Sequence, residues 1–313
     1  MDSSQQYSAF GLRINSEVAL PELYPAGPAG EPDVRIRLAS LPADRPTASG
    51  IHFDDGGTLL VVENVASFLV SNGREIAVHP WEAVPIANVR LYLLGSAMGV
   101  LLHQRGLLPL HANAIEIGHS AAAFMGASGA GKSTLAAWFH DRGCRIVADD
   151  VSVVTFDAAK RPLVHPGIPR LRLWKEALEA GGRTPDEHPL SWQGDPTYLK
   201  YDVSIMQERA SRSALPLAAL YLLATGENFG IEPLGGVEAA DAIFANTYRG
   251  GYVPLADGSR SHWLASLQLV RSIPLFRVTR RWGLNLLDEE GGRIRTHLDD
   301  LIGSPESRLE GRA

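Results

Sequence analysis

Cysteine is almost absent from this chain: Cys144 stands alone in 313 residues, so neither an internal disulfide nor a multi-cysteine metal site can form. That points to a reducing compartment. The opening MDSSQQYSAFGL has neither the basic start nor the apolar core of a signal peptide, so the expected location is cytoplasmic. Long apolar runs are also missing. The uncharged run over residues 91–102 has twelve residues, against the roughly 20 needed to cross a bilayer as a helix. Nor is there an excess of positive charge. With 29 basic against 35 acidic side chains the net charge is −6, which gives no broad attraction to nucleic acid or to an anionic membrane, and neither is expected as a partner. The ten histidines contain no i, i+4 pair and no H-x-H, so a histidine metal centre has no support. Lysine is scarce as well: it occurs only at 132, 160, 175 and 200, and Arg supplies the rest of the basic set. What is present, 45% hydrophobic and 20% charged residues, is the composition of a folded globular protein, and the length accommodates about two domains.

Residues 7–85 read as β structure, with short alternating runs at 58–63, 67–70 and 75–78. Asn72-Gly73 is a two-residue hairpin signal and 54–57 a second turn. The Pro-, Gly- and Ala-rich segments 21–32 and 42–50 read as loops. Residues 88–104 place Leu91, Leu94, Met98, Leu101 and Leu102 at helical spacing and predict a connecting helix. A strand at 112–117, a turn at Gly118, a buried strand at 121–125, a glycine-rich loop, a helix over 132–142 ended by Gly143, and a strand at 145–148 then form a βαβ pattern, which predicts a partly parallel sheet. Further along, 217–223 reads as a strand and 239–248 and 262–273 as helices. The polar tail from 303 to 313 is expected to be disordered.

Gly126-Ala127-Ser128-Gly129-Ala130-Gly131-Lys132-Ser133 fits G-x-x-x-x-G-K-[ST], the phosphate-binding loop, and it lies where that loop must lie, between a strand and a helix. Glycines let the backbone wrap the phosphates, the helix N-terminus favours an anion, Lys132 neutralises β/γ oxygens, Ser133 can ligate Mg²⁺, and Thr134 supports the loop. The motif implies ATP and Mg²⁺ rather than a reaction type. RIVADD at 145–150 follows Lys132 closely, an apolar strand ending in two carboxylates. Asp149 is placed to hold Mg²⁺, directly or through water. Asp150 suits either of two roles, accepting a proton from an attacking hydroxyl or capping a strand end. Arg170 and Arg172 share one face of a strand, which would turn either toward the site or to solvent. Lys200 and Arg249 lie in polar, loop-like sequence with nothing more to recommend them. Trp138, Trp174, Trp263 and Trp282 read as core or groove residues.

Residues 110–154, LHANAIEIGHSAAAFMGASGAGKSTLAAWFHDRGCRIVADDVSVV, resemble the catalytic core of bacterial HPr kinase/phosphorylase and its smaller serine-kinase relatives. Three linked parts carry the resemblance: Leu110-His111, the loop, and Val147 to Asp150. It implies an α/β fold, a P-loop kinase core preceded by a smaller β-rich N-terminal domain, with boundaries at 1–87, 88–104, 105–302 and 303–313. It further implies that Lys132 contacts phosphates, that Ser133 binds Mg²⁺, that Asp150 accepts the proton of a substrate serine, and that His111 is an active-site residue beside it. From the residues alone His111 reads instead as a strand histidine with a structural hydrogen bond. The family's downstream signature carries an Mg²⁺-ligating glutamate. Here that region, LVHPGIPRLRLW, has no carboxylate, and only His165 as a weak substitute. Phosphorolysis is therefore not implied. The N-terminal region resembles instead the divergent relatives found beside peptide biosynthesis genes, some of which phosphorylate the C-terminal serine of a lasso peptide precursor. The expected partner is a peptide or small protein bearing a serine, and the resemblance also points toward a homo-oligomer. A nucleotide-dependent sensor without transferase activity and a small-molecule kinase are the other readings.

Overall fold

The computed structural model describes residues 4–27, 30–40, 46–54, 56–255 and 259–303. The tail after 303, and parts of the loops expected at 21–32 and 42–50 and of the turn at 54–57, lie outside the described residues. The protein is a mixed α/β structure. Its N-terminal part is a sheet of eight strands, β1 Gln5–Ala9, β2 Leu12–Ser16, β3 Tyr24–Pro25, β4 Val34–Leu38, β5 Gly50–Asp54, β6 Gly57–Val62, β7 Ala66–Ser71 and β8 Glu75–Pro80, in the order β3-β1-β2-β4-β8-β7-β6-β5. Strands β6, β7 and β8 lie within two residues of the positions expected from alternation. Asn72 and Gly73 both take positive φ, 53° and 62°, but three residues, not two, separate the paired ends Ser71 and Glu75.

The helical segment that follows is α1, Ile86–Tyr92, a π-helical turn Leu93–Ala97, and α2, Met98–Gln104. The expectation of a single apolar stripe is too narrow. The π turn shifts the phase of the helix, and from Leu93 to Leu102 all residues but Gly95 are buried. Leu93, Leu94, Met98 and Leu101 join Phe10, Phe68 and Ile76 of the sheet and Val151, Val153 and Tyr248 of the later chain in one cluster. The helix is long and apolar enough to span a membrane by length and composition, and 67% of its most apolar window is buried within the protein.

The second sheet is built from β9 Leu108–Leu110, β10 Ala112–Ile117, β11 Ser120–Met125, β12 Arg145–Ala148, β13 Ser152–Phe156 and β14 Pro162–His165, and later β17 Leu215–Thr225, β18 Gly230–Leu234 and β19 Leu275–Arg280. Between these groups β15 Arg170–Trp174 and β16 Lys200–Ser204 form a separate hairpin-like pair. Helices are α3 Lys132–Asp141, α4 Lys175–Ala180, α5 Gly236–Ala245, α6 Ser259–Ser272 and α7 Leu287–Gly303. Strand β11 runs parallel to β17, which in turn runs parallel to β19. The expected βαβ unit is present with one difference: β12 is parallel to β11 but not next to it, because β10 pairs antiparallel with both.

Side-chain alternation along β11 explains the layers. Ala122 and Phe124 face α3 and α7, where Phe124 stacks on Phe139 and Tyr221 with ring centroids 5.6 and 5.5 Å apart. Ala121, Ala123 and Met125 face α5 and α6. A strand covered on both faces must be apolar throughout, and burial of its mostly small side chains lets the loop after Met125 leave from the protein's interior.

Candidate active site

Everything in the site is arranged around the loop between β11 and α3. Gly126 takes φ 149°, and a Cβ there would stand 2.9 Å from the Leu223 carbonyl oxygen. Gly131 caps α3 with φ 81°, where a Cβ would stand 2.7 Å from the Arg280 guanidinium. Gly126 needs glycine for conformation and for space, Gly131 for conformation. Arg280 donates to the Ala130 carbonyl at 2.5 Å, fastening the loop to β19. The Lys132 ammonium is buried and donates to the carbonyls of Gly126 and Ala127 at 2.7 and 3.0 Å. Burial lowers its pKa, and the nearby Asp150 and Asp149 charges oppose that shift.

Two adjacent carboxylates close β12 with different electrostatics. Asp149 is buried and accepts from the Ser133 hydroxyl at 2.9 Å, from the Arg172 backbone N–H at 2.8 Å and from the Asn113 amide. Burial, then the charge of Asp150, pushes its pKa up. Asp150 follows in the left-handed region, φ 70°, an uncommon conformation that turns this side chain away from the strand's alternation and that Asp tolerates better than most residues. Burial works against its charged form, but Arg172, then His111 and Lys200, outweigh that and hold its carboxyl below the usual range. Arg172 reaches it at 3.3 Å. Nδ1 of His111 lies 3.1 Å from the Asp150 carbonyl oxygen and 3.3 Å from its carboxylate, so an Nδ1–H donor suits both. Burial, aided by Lys132, lowers the His111 pKa against the pull of Asp150.

The expected residues therefore come together: the loop, Ser133 beside Asp149, and His111 beside Asp150. Several side chains given little weight in the sequence belong with them. Arg172 is not a solvated surface arginine; Leu171 and Leu173 point into the core and leave Arg170, Arg172 and Trp174 on the other face of β15. Arg170 is buried and paired with Asp202 at 2.7 Å. Lys200, opposite Trp174 in the pair, lies over its ring at 5.5 Å. His165 is elsewhere, hydrogen-bonded to Thr155 at 2.8 Å and packed against Gly11, so it is no substitute for the glutamate. Trp138 packs in the core beside α7, whereas Trp174 and Trp282 line the site cavity.

Helical spacing predicts a helix to 248, but α5 ends at Ala245 and residues 246–249 run along the site. The Asn246 carbonyl accepts the His111 backbone N–H at 2.6 Å, its side chain accepts the Gly126 N–H at 2.8 Å, and Tyr248 N–H donates to the Pro109 carbonyl at 2.9 Å. Gly95 and Gly99 face the Tyr248 side chain, where a Cβ would come within 3.2 Å of its hydroxyl oxygen and 3.1 Å of its ring, respectively. The signal for this arrangement, Gly-x-x-x-Gly in the helix, was legible but had no visible partner.

Two cavities meet at Asp150. One, about 610 Å³, is lined by the loop residues Ser128, Gly129 and Gly131 to Thr134 and bounded by Arg280, Trp282 and Leu284. The other, about 460 Å³, opens beside the π turn and Arg249. His111, Ser128, Asp150, Arg172 and Lys200 border both. The donor set suits a polyphosphate with Mg²⁺. Glycines in the left-handed region expose backbone N–H groups to an anion, and one hydroxyl with one carboxylate is the sparse hard-oxygen set Mg²⁺ takes when phosphates and water supply the rest. No group of three or more His, Cys, Asp or Glu that could hold a metal by itself occurs among the described residues.

No family model matches this chain, and no curated protein sequence matches it. Among solved structures it is similar to that of the HPr(Ser) kinase/phosphatase from Coxiella burnetii, at 12% identity and a TM-score of 0.35, over 66% of this chain and 99% of that one. The relationship is a distant one of structure.

Proposed function

We propose that this protein is an ATP- and Mg²⁺-dependent kinase that transfers the γ-phosphoryl group to a serine hydroxyl of a peptide or small protein, the terminal serine of a lasso peptide precursor being the specific case. One observation carries the reading: Asp150, charged and flanked by His111 and Arg172, stands where the loop-bearing cavity meets a second cavity. In this reading the nucleotide occupies the first cavity and the hydroxyl arrives from the second. The acceptor oxygen forms its bond to γ-phosphorus as the β–γ bridging bond breaks, and the hydroxyl proton passes to Asp150. Lys132 neutralises the β/γ oxygens, and Arg172 and Lys200 offset charge on the transferred group from the acceptor side. Ser133 and Asp149 would hold Mg²⁺, which supplies charge neutralisation between the phosphates. His111, neutral at pH 7 by its lowered pKa, orients Asp150.

Asp150→Asn is the direct test because Asn also tolerates positive φ, so the change removes charge without demanding a new backbone. Transfer measured by mass spectrometry, with ATP, Mg²⁺ and serine peptides, is expected to fall by about 10²–10⁴-fold while ADP binding is kept. Unchanged transfer would remove Asp150 from this role. The absence of any carboxylate on β15, where Arg170 and Arg172 stand instead, favours a second reading, a nucleotide sensor; tight ATP binding with no phosphorylated product from peptides or metabolites would select it.

A further inference from the structure

The second cavity has a charge imbalance that phosphate binding in the first does not account for. Four cationic side chains border it, Arg170, Arg172, Lys200 and Arg249, against two carboxylates, Asp149 and Asp150. Arg170 is matched by Asp202, and Arg172 by Asp150. Asp149 is taken up by Ser133, Asn113 and a backbone amide. Among the described residues no carboxylate lies in ion-pair range of the other two cations; Lys200 rests over the Trp174 ring and Arg249 over the Tyr248 ring at 5.7 Å. Lys200 borders both cavities, but Arg249 borders only the second.

Arg249 is also held in place. Its backbone is left-handed, φ 52°, a conformation that costs free energy for a residue other than Gly and persists only where the surroundings impose it. Here the bond from Tyr248 N–H to Pro109 and the packing of Tyr248 on Gly95 and Gly99 impose it. Leu91, Leu94 and Gly95 of the long helix add an apolar lining. At about 460 Å³ the cavity matches a small molecule or a chain end rather than a folded surface.

Building on the phosphotransfer reading above, we infer that the second cavity is the acceptor site and that its acceptor carries an anionic group, carboxylate or phosphate, close to the hydroxyl, bound by Arg249 with Lys200 as the second cation. A charge-assisted, two-pronged guanidinium contact would fix that group and leave the hydroxyl beside Asp150.

The test is calorimetric binding to the full chain with ADP and Mg²⁺, using three probes: the peptide Ala-Ala-Ala-Ser with a free carboxylate, the same peptide as its C-terminal amide, and glycerol 2-phosphate. At least one anionic probe is expected to bind at least tenfold more tightly than the amide, with that preference lost in Arg249→Met and partly kept in Arg249→Lys, both having an unchanged Tm. Whichever anion binds more tightly identifies the group. Equal binding of all three, no binding of any, or a preference that survives Arg249→Met would overturn the inference. Phosphoryl transfer separates it from the kinase reading. Transfer to the amide peptide equal to that to both anionic probes refutes the anion contact and leaves the kinase standing. An Arg249-dependent anion preference without transfer to any probe refutes the kinase and leaves the anion site.

Discussion

The two walls of the site are built in opposite ways. One wall, from His111 to Asp150, is a single stretch of chain: strand, loop, helix and strand present backbone amides, Lys132, Ser133 and the two carboxylates in order. The other is assembled from β15, β16 and residues 246–249, distant in sequence, and consists of side-chain cations with tertiary anchors. The first wall suits an anion of fixed shape, because backbone geometry sets it. The second is made of side chains on a hairpin and a helix end, which can change without disturbing the loop. Lys132→Met against Arg172→Met is the sharpest way to break this division. Lys132→Met is expected to abolish detectable transfer and weaken ADP binding by about a hundredfold, in line with loss of a buried charge-assisted contact. Arg172→Met keeps the backbone N–H that serves Asp149, so transfer should fall by about ten- to a hundredfold with ADP affinity within about threefold, since one charge contact to the transferred group is removed. Equal loss of ADP binding in both, read by calorimetry, would merge the walls.

The pH profile sharpens the same comparison. In the proposed mechanism Asp150 acts in its ionised form, and its pKa lies below the usual carboxylate range because Arg172, His111 and Lys200 outweigh burial. At saturating Mg²⁺, transfer should stay constant as pH falls toward that range and drop only below it. Removing the Arg172 charge leaves burial less opposed, so in Arg172→Met the acidic limb moves to higher pH. Asp149 behaves in the opposite sense. Burial raises its pKa, so at low Mg²⁺ a second loss should begin at higher pH, where protons compete with the metal, and added Mg²⁺ should suppress it. Rate against pH at two Mg²⁺ concentrations separates the effects; a limb unmoved by Arg172→Met would show that Asp150 does not set it.

That contrast also explains which parts were legible in the sequence. The loop, its flanking strand and helix, and β12 ending in two carboxylates each rest on local rules of glycine, periodicity and spacing, and each lies where those rules put it. Asp150's left-handed backbone has no local signal, since turns and active sites use the same residue. Arg172 could not be told from a surface arginine, because alternation gives a strand two faces without saying what covers either. Tertiary pairing ended α5 early: helical periodicity ran on to 248, but a bridge between Leu110 and Thr247 and the bond from His111 to Asn246 took that backbone into strand-like contact. The insertion of β10 between β11 and β12 is likewise a matter of topology. A βαβ pattern fixes direction and handedness but leaves room for a neighbouring strand.

Asn246 is one of the places where the walls touch, and it yields the smallest expected effect. It lies on the distant wall yet its side chain accepts the N–H of Gly126, the first residue of the loop, and donates to Ala242 at 2.8 Å. Asn246→Ala removes both bonds but leaves its backbone carbonyl on His111. The Gly126 N–H is buried, so leaving it without a partner costs about 1–3 kcal/mol. For a chain of this length that lowers Tm by roughly 2–10 °C, measured by calorimetry. A looser loop entrance should weaken ADP binding by a few-fold, while the pH at which Asp150 titrates stays where it was, because no charge near it changes. An unchanged Tm and ADP affinity would mean that the loop holds its shape from glycine geometry and Arg280 alone, and that the contacts between the two walls at Arg172 and at the Asn246 backbone do not depend on this side chain.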